Sequence, residues 1–99
     1  MNPGPVARLR EDGVILRANP AAERVFGRDE IRGESFRELC PGIPDAVWER
    51  ILTDDRPVQH EAEIGDLIYS FTLVHEPESN QVFVYGSDVT ELGSRFRGL

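Results

Sequence analysis

The chain has 99 residues, of which 39% are hydrophobic and 29% charged, a composition typical of one folded domain and not of a disordered segment. Its formal net charge is −7, all its basic residues are arginine, and none of them lies between Pro57 and Ser94. Because a nucleic-acid surface needs clustered positive charge, and Schiff-base and P-loop sites need lysine, the sequence argues against all three.

The first residues with a clear pattern predict a β-hairpin. Val6–Leu9 alternates between apolar and polar residues, Glu11-Asp12-Gly13 is typical of a turn, and Val14–Ala18 supplies a second strand. Asn19-Pro20 then predicts the start of a helix, because asparagine is a good N-cap and proline fits the first helical position. Gly27 is expected to end that helix.

Three further helical segments are predicted before the chain returns to strands. Two are short, at Arg28–Arg32 and Glu34–Leu39. Pro44 opens the longest, which runs to about Asp54. Its apolar residues recur at helical spacing on one side, namely Val47, Trp48, Ile51 and Leu52.

From Pro57 onward the hydrophobic period changes to two, which predicts strands. His60 falls on the apolar side of the first strand with Val58, Ala62 and Ile64, while Gln59, Glu61 and Glu63 fall on the other. The next two strands are expected at Leu67–His75 and Gln81–Ser87. At the end of the former we expect His75 to be solvated. Antiparallel hairpins on either side of a helical middle indicate an α+β fold.

The order of elements and three motifs together resemble the PAS domain, a sensory module of signalling proteins. The motifs are Asp12–Ala22 followed by Phe26-Gly27, Ile31–Leu39, and the closing Val84–Glu91, which contains the Asp-hydrophobic-Thr signature. The resemblance covers about Val6 to Leu92. It implies a five-stranded antiparallel sheet with short helices packed on one face, and a ligand, when present, between helices and sheet.

Helical and period-two spacing predict which residues meet between the long helix and the sheet. These residues are candidates for a ligand pocket, although the same set would also build a plain core: Val47, Trp48, Ile51, His60, Tyr69, Phe71, Leu73, Val84 and Gly86.

The sequence does not identify a cofactor, and it argues against two. Cys40 stands in Glu38-Leu39-Cys40-Pro41-Gly42, which does not match the reactive-cysteine motif of the family's flavin-binding light sensors, and Gly86 stands where they carry glutamine. Haem-binding relatives commonly supply an axial histidine from the long helix, and this helix contains no His, Cys or Met. No metal site or nucleophile–base pair is found, so we expect no catalysis.

The closing motif predicts a rigid junction through which the family passes signals. Asp88 can cap the next helix by accepting a hydrogen bond from the backbone of Thr90 or Glu91, and Glu91 is placed as in a capping box. Residues 1–5 are expected to be a lead, residues 6–92 the domain, and residues 93–99 a linker that can lead into a further domain.

The last strand is apolar on both sides, which predicts self-association. Phe83 and Tyr85 lie opposite the core side and are expected to join Ile68 and Val74 in an apolar patch. About five residues precede Val6, too few for the helix that covers this face in relatives. We therefore expect a homodimer, unless sequence outside this chain covers the patch.

These observations favour a sensor or regulatory PAS domain, without catalysis, that binds a small ligand or relays a conformational signal. The resemblance implies an effector domain in the same or a partner chain, such as a histidine kinase of a two-component system or a cyclic-nucleotide enzyme. The alternative is a ligand-free module for dimerisation and relay. The longest uncharged apolar run, Leu67–Val74, is too short to span a bilayer, and the single cysteine fits a reducing compartment. We expect a cytoplasmic domain without membrane contact.

Overall fold

The strands pair in one antiparallel sheet in a computed structural model that describes residues 4–54 and 56–90. The elements in chain order are β1 (Val6–Arg10), β2 (Ile15–Ala18), α1 (Pro20–Phe26), α2 (Phe36–Leu39), α3 (Asp45–Thr53), β3 (Val58–Ile64), β4 (Leu67–Glu76) and β5 (Gln81–Asp88). The spatial order is β2-β1-β5-β4-β3, so the first and last strands are neighbours. The predicted α+β fold, with a five-stranded antiparallel sheet, is confirmed.

Asn19 starts α1 as the sequence predicts and also ties the helix to the sheet. Its Oδ1 accepts hydrogen bonds from the Ala22 and Val6 backbone N–H groups, both at 2.9 Å. Its Nδ2 donates to the Gly4 carbonyl at 3.0 Å. Gly27 ends the helix in the left-handed region, with φ 68°, where glycine is favoured.

The helix predicted over Arg28–Arg32 is wrong, because the two residues directly after this segment bond to β2. The Gly33 N–H donates to the Ile15 carbonyl at 2.7 Å, and the Ile15 N–H donates to the Glu34 carbonyl at 2.8 Å. Ile31 is fully buried in the core. Burial of this side chain and two backbone bonds to β2 stabilise a turn in place of a helix.

The helices cover one face of the sheet, which we call the inner face, and an aromatic cluster fills the space between them. The Phe36 ring meets those of Phe26, Trp48 and Phe71 edge-on, at centroid distances of 5.7, 6.0 and 5.7 Å. Such edge-to-face contacts are favourable beyond the area that they bury. Phe36 therefore joins α1, α2 and α3 to β4.

The alternation predicted for β3 and β4 is confirmed, but the solvated role expected for His75 is wrong. β4 extends to Glu76, so position 75 still alternates toward the inner face with Phe71 and Leu73. The His75 side chain is only 11% exposed, and its Nε2 lies 2.6 Å from the Glu11 carboxylate. This contact joins β4 to the turn between β1 and β2.

Gly86 allows the chain before β1 to pass close to β5. A Cβ at this position would lie 2.7 Å from Pro5 Cγ and 3.0 Å from Phe71 Cε1. The Gly86 N–H also donates to the Pro5 carbonyl at 2.8 Å. A glycine inside a strand often marks such a close approach.

We predict that Gly86→Ala lowers the free energy of unfolding by about 1–3 kcal/mol, because the added methyl group overpacks Pro5 against Phe71. Urea denaturation of the variant and the parent chain measures this difference. The matched control is Ser87→Ala at the exposed neighbouring position, expected to change stability by less than about 0.5 kcal/mol. Equal stability of the two variants would show that Pro5 and Phe71 give way without cost.

Candidate functional site

Most of the predicted pocket residues lie in the hydrophobic core. Five of the nine candidates are at most 2% exposed, namely Trp48, Ile51, Phe71, Leu73 and Val84. The space bounded by α1, Phe36, Phe71 and Val84 has no room for a water molecule. These residues fit the plain-core interpretation better than the ligand-pocket interpretation.

Tyr69 and Gly86 line an open cleft between α1 and the ends of β4 and β5. The cleft has a volume of about 680 Å³, and Arg24, Leu67 and Asp88 also line it. Burial, with the nearby Asp88 carboxylate, raises the pKa of the Tyr69 phenol. The phenol therefore stays protonated at neutral pH and can donate a hydrogen bond into the cleft.

The two remaining pocket candidates lie at the margin of the core. Val47 is half-buried. His60 is also half-buried, and its Nε2 lies 3.1 Å from the Gly42 carbonyl. His60 thereby holds the loop before α3 against β3, which is the hydrogen-bonded structural role that a histidine on an apolar face usually has.

The sequence predicts that Trp48 faces the core, but it does not predict that the indole N–H lacks a hydrogen-bond partner in the described part of the chain. Trp48 is 2% exposed, and its Nε1 is a buried polar atom without a hydrogen-bond partner among the described residues. A buried donor without an acceptor costs free energy. No motif signals this feature, because it depends on which groups surround the helix.

Cys40 has the properties of a structural residue. It is 1% exposed, and burial raises the pKa of its thiol to about 11. Since the thiolate is the reactive form of cysteine, Cys40 is a poor nucleophile at neutral pH.

The closing motif builds a hydrogen-bonded junction between β5 and the start of β4. The Asp88 carboxylate accepts from the Thr90 backbone N–H at 2.9 Å, as expected for a cap. The Thr90 hydroxyl accepts from the Ile68 N–H at 2.8 Å, and the Val89 N–H donates to the Ile68 carbonyl at 2.8 Å. Glu91, the third predicted junction residue, lies outside the described residues, as does the expected linker at residues 93–99.

The role of Ile68 in this junction was not predicted, and it changes the expected apolar patch. Ile68 is only 8% exposed, so it adds little to the surface on which it was placed. Tyr85 is 48% exposed, while Val74 and Phe83 are half-buried. On the side of the sheet that carries Phe83 and Tyr85, the exposed apolar surface is therefore centred on β5.

Two properties of the described residues bear on other functions. No helix among them is long and apolar enough to span a bilayer. Within residues 4–54 and 56–90, no three His, Cys, Asp or Glu side chains are grouped so that they could hold a metal ion.

Comparison with known proteins identifies the family to which this fold belongs. The PAS fold family matches residues 2–93. The chain belongs to the PAS family. A comparison with curated proteins finds no match.

Solved structures of PAS domains share the fold at low sequence identity. The sensor region of a sensor histidine kinase is 20% identical with a TM-score of 0.71; the match covers 93% of this chain and 42% of that region. The PAS domain of an HTR-like protein from Haloarcula marismortui is 19% identical with a TM-score of 0.69, and the match covers 88% of this chain and 87% of that one. The PAS domain of nitrogen regulation protein NR(II) from Vibrio parahaemolyticus is 17% identical with a TM-score of 0.63, and the match covers 85% of this chain and 87% of that one.

We predict that the junction of this PAS domain depends on the charge of Asp88. Hydrogen bonds from Thr90 lower the pKa of the Asp88 carboxyl below its ordinary value of 3.8. The bond is therefore fully present above about pH 4 and is lost as the pH falls through the lowered pKa. In an NMR titration, the Thr90 amide shift should follow a pKa below 3.8. Asp88→Asn should remove this titration, and a midpoint above 3.8 in the parent chain would contradict the cap.

Proposed function

We propose that this PAS domain is a non-catalytic regulatory module that relays a conformational signal through the Asp88–Thr90 junction to an effector domain. The observation that carries the proposal is the Thr90 hydroxyl bonded to Ile68, which fixes the chain leaving β5 to the start of β4. A shift between β4 and β5 would then change the direction in which the chain leaves the sheet.

The filled core supports relay over binding of a small ligand between α3 and the sheet. Trp48, Ile51 and Phe71 occupy that space with their side chains. A ligand there would have to displace core residues, at the cost of their side-chain contacts. The small-ligand sensor remains the second candidate, and the cleft at Tyr69 is the feature that favours it.

The effector that we propose is a histidine kinase or a cyclic-nucleotide enzyme, in the same or a partner chain. Two observations support the kinase. A sensor region of a sensor histidine kinase shares the fold, and so does a domain of a sensory box sensor histidine kinase/response regulator from Geobacter sulfurreducens. The net charge of −7 and the fold shared with sensor histidine kinases support a further proposal. We propose a cytoplasmic location without nucleic-acid or membrane contact.

We predict that the purified chain carries no stoichiometric small molecule. Native mass spectrometry should give the mass of the polypeptide alone, and the absorption spectrum should show only its aromatic residues. A chromophore or metabolite retained at equal stoichiometry would contradict a ligand-free relay and favour the sensor.

We predict that the Thr90 hydroxyl is needed for relay. The chain replaces the PAS domain of a histidine kinase, joined after the closing motif, and autophosphorylation is measured. Thr90→Val keeps the side-chain shape but removes the hydroxyl, which accepts from the Ile68 N–H at 2.8 Å and donates to the Ile68 carbonyl at 3.5 Å. The substitution should change the kinase rate by roughly fivefold or more.

The control for this experiment is Thr53→Val at the end of α3, whose hydroxyl donates to the Glu49 and Arg50 carbonyls of its own helix. It should leave the kinase rate unchanged. A kinase that responds equally to both substitutions, or to neither, would contradict a relay through the junction.

A further inference from the structure

The two edges of the sheet differ in how much of the chain covers them. At the β2 edge, the Ile15 N–H donates to the Glu34 carbonyl at 2.8 Å, and the Gly33 N–H donates to the Ile15 carbonyl at 2.7 Å. β2 is also short, with four residues, whereas β3 pairs with β4 over seven residues without a shift in register. Long, regular edge strands are templates for a further strand, and native proteins usually cover or interrupt them. The β3 edge is neither short nor interrupted by a bulge.

The bonds of Ile68 show which backbone groups of β3 point away from the sheet. Ile68 is opposite Glu63 in the register, yet its N–H and its carbonyl both bond to the segment after β5, on the other side of β4. Ile68 and Glu63 are therefore a non-hydrogen-bonded pair. Such pairs alternate with hydrogen-bonded pairs along an antiparallel ladder. It follows that the N–H and C=O groups of Gln59 and Glu61 also point away from β4.

These groups have no partner in the part of the chain that the structure describes. Among residues 4–54 and 56–90, no group outside the sheet bonds to the backbone of Gln59 or Glu61. Gly42 approaches the strand near its end, where a Cβ on this glycine would lie 3.1 Å from Ala62 Cβ and 3.8 Å from Glu63 N. We call residues 58–62 the open edge. Its outward N–H and C=O groups can bond to a further strand.

The side chains along the open edge carry negative charge on one side of the strand. Glu61 and Glu63 are exposed and lie on the side opposite the buried Ala62. Across the register they face Ser70 and Ile68, which are uncharged, and β3, β4 and β5 contain no arginine or lysine. Within residues 4–54 and 56–90, Glu61 forms no ion pair. Its charge is therefore available to a cation from outside the sheet.

The same acids disfavour a second copy of β3 as the strand that fills the edge. Two β3 strands that pair over their full length, antiparallel about a two-fold axis, would place Glu61 directly opposite Glu61 of the other copy. Gln59 would then face Glu63 of that copy. Like charges directly opposite each other on neighbouring strands are destabilising, and edge charges are a common protection against self-pairing. The open edge therefore favours a strand of opposite charge.

We propose that the open edge binds an extended segment of a partner protein that carries arginine or lysine at alternate positions, and that this segment adds to the sheet as a further strand. Its backbone bonds to the outward groups of Gln59 and Glu61. Residues that face each other across two strands point their side chains to the same side, so a basic residue opposite Glu61 lies beside its carboxylate. The next basic residue lies in the row of Glu63. In this mode, backbone bonds supply affinity and side chains supply specificity.

The probe for this proposal is a synthetic seven-residue peptide of alternating threonine and arginine, as long as β3. Its titration into the 99-residue chain, followed by NMR, should move the amide resonances of Gln59 and Glu61. Methylation of the arginine backbone nitrogens removes the N–H groups that point toward β3 and should abolish binding. Methylation of the threonine nitrogens, whose N–H groups point away, should change the dissociation constant by less than about threefold. Because both methylated peptides keep the same charge, they separate strand addition from attraction between charges alone.

Glu61→Arg tests the charge pairing separately. It should raise the dissociation constant of the unmethylated peptide by roughly tenfold or more, because like charges then lie opposite each other. The matched control is Glu49→Arg on the exposed part of α3, which changes the net charge equally and should alter binding by less than about twofold. Circular dichroism melting confirms that both variants fold. Because the assay measures peptide binding to the isolated chain, its outcome is independent of the proposed relay.

Three outcomes would overturn the proposal. One is a titration to millimolar peptide in which the amide resonances of Gln59 and Glu61 do not move. Another is equal binding of the two methylated peptides, which would show attraction between charges without strand addition. The third is equal binding of the unmethylated peptide by Glu61→Arg and by the parent chain, which would show that no basic residue lies opposite Glu61.

Discussion

The side chain and backbone of Asn19 hold α1 to the first strand of the sheet. Its carboxamide bonds Gly4, Val6 and Ala22, and its own N–H donates to the Val6 carbonyl at 3.0 Å. One residue thus ends β2, starts α1 and fixes the beginning of β1. The direction of α1, and with it the contact between Phe26 and Phe36, follows from this anchor. Aspartate could cap α1 but could not replace Asn19 in full, because it has no N–H₂ group to donate to the Gly4 carbonyl.

The sequence predicted most of this architecture because local chemistry decided it. Asn19-Pro20 specified a helix start, and period-two alternation specified which residues of β3 and β4 face inward. Where prediction failed, a distant contact overrode the local pattern. Residues 28–32 have helical composition, but Gly33 and Glu34 directly after them bond to Ile15. His75 stands near a strand end but reaches Glu11. Neither partner can be identified without the fold.

In the candidate sites, too, the local contacts were predicted from the sequence and the distant contacts were not. Asp88 was predicted to accept a bond from Thr90 or Glu91 because these residues lie two and three positions after it in a capping pattern. The second half of the junction, from Thr90 to Ile68, spans two strands and carries no sequence motif. The unpartnered indole of Trp48 depends on three-dimensional surroundings in the same way.

The position of β5 between β1 and β4 governs when this domain can fold during synthesis. β1 and β2 form a local hairpin, but β1 meets its other neighbour only after the segment Gln81–Asp88 has been made. Pairing of the chain's first and last strands closes a loop of most of the domain, and that step carries the largest entropic cost. Such long-range pairing slows folding relative to domains built from local contacts. The β1–β2 and β3–β4 hairpins can each pair locally, but they become one sheet only when β5 lies between them.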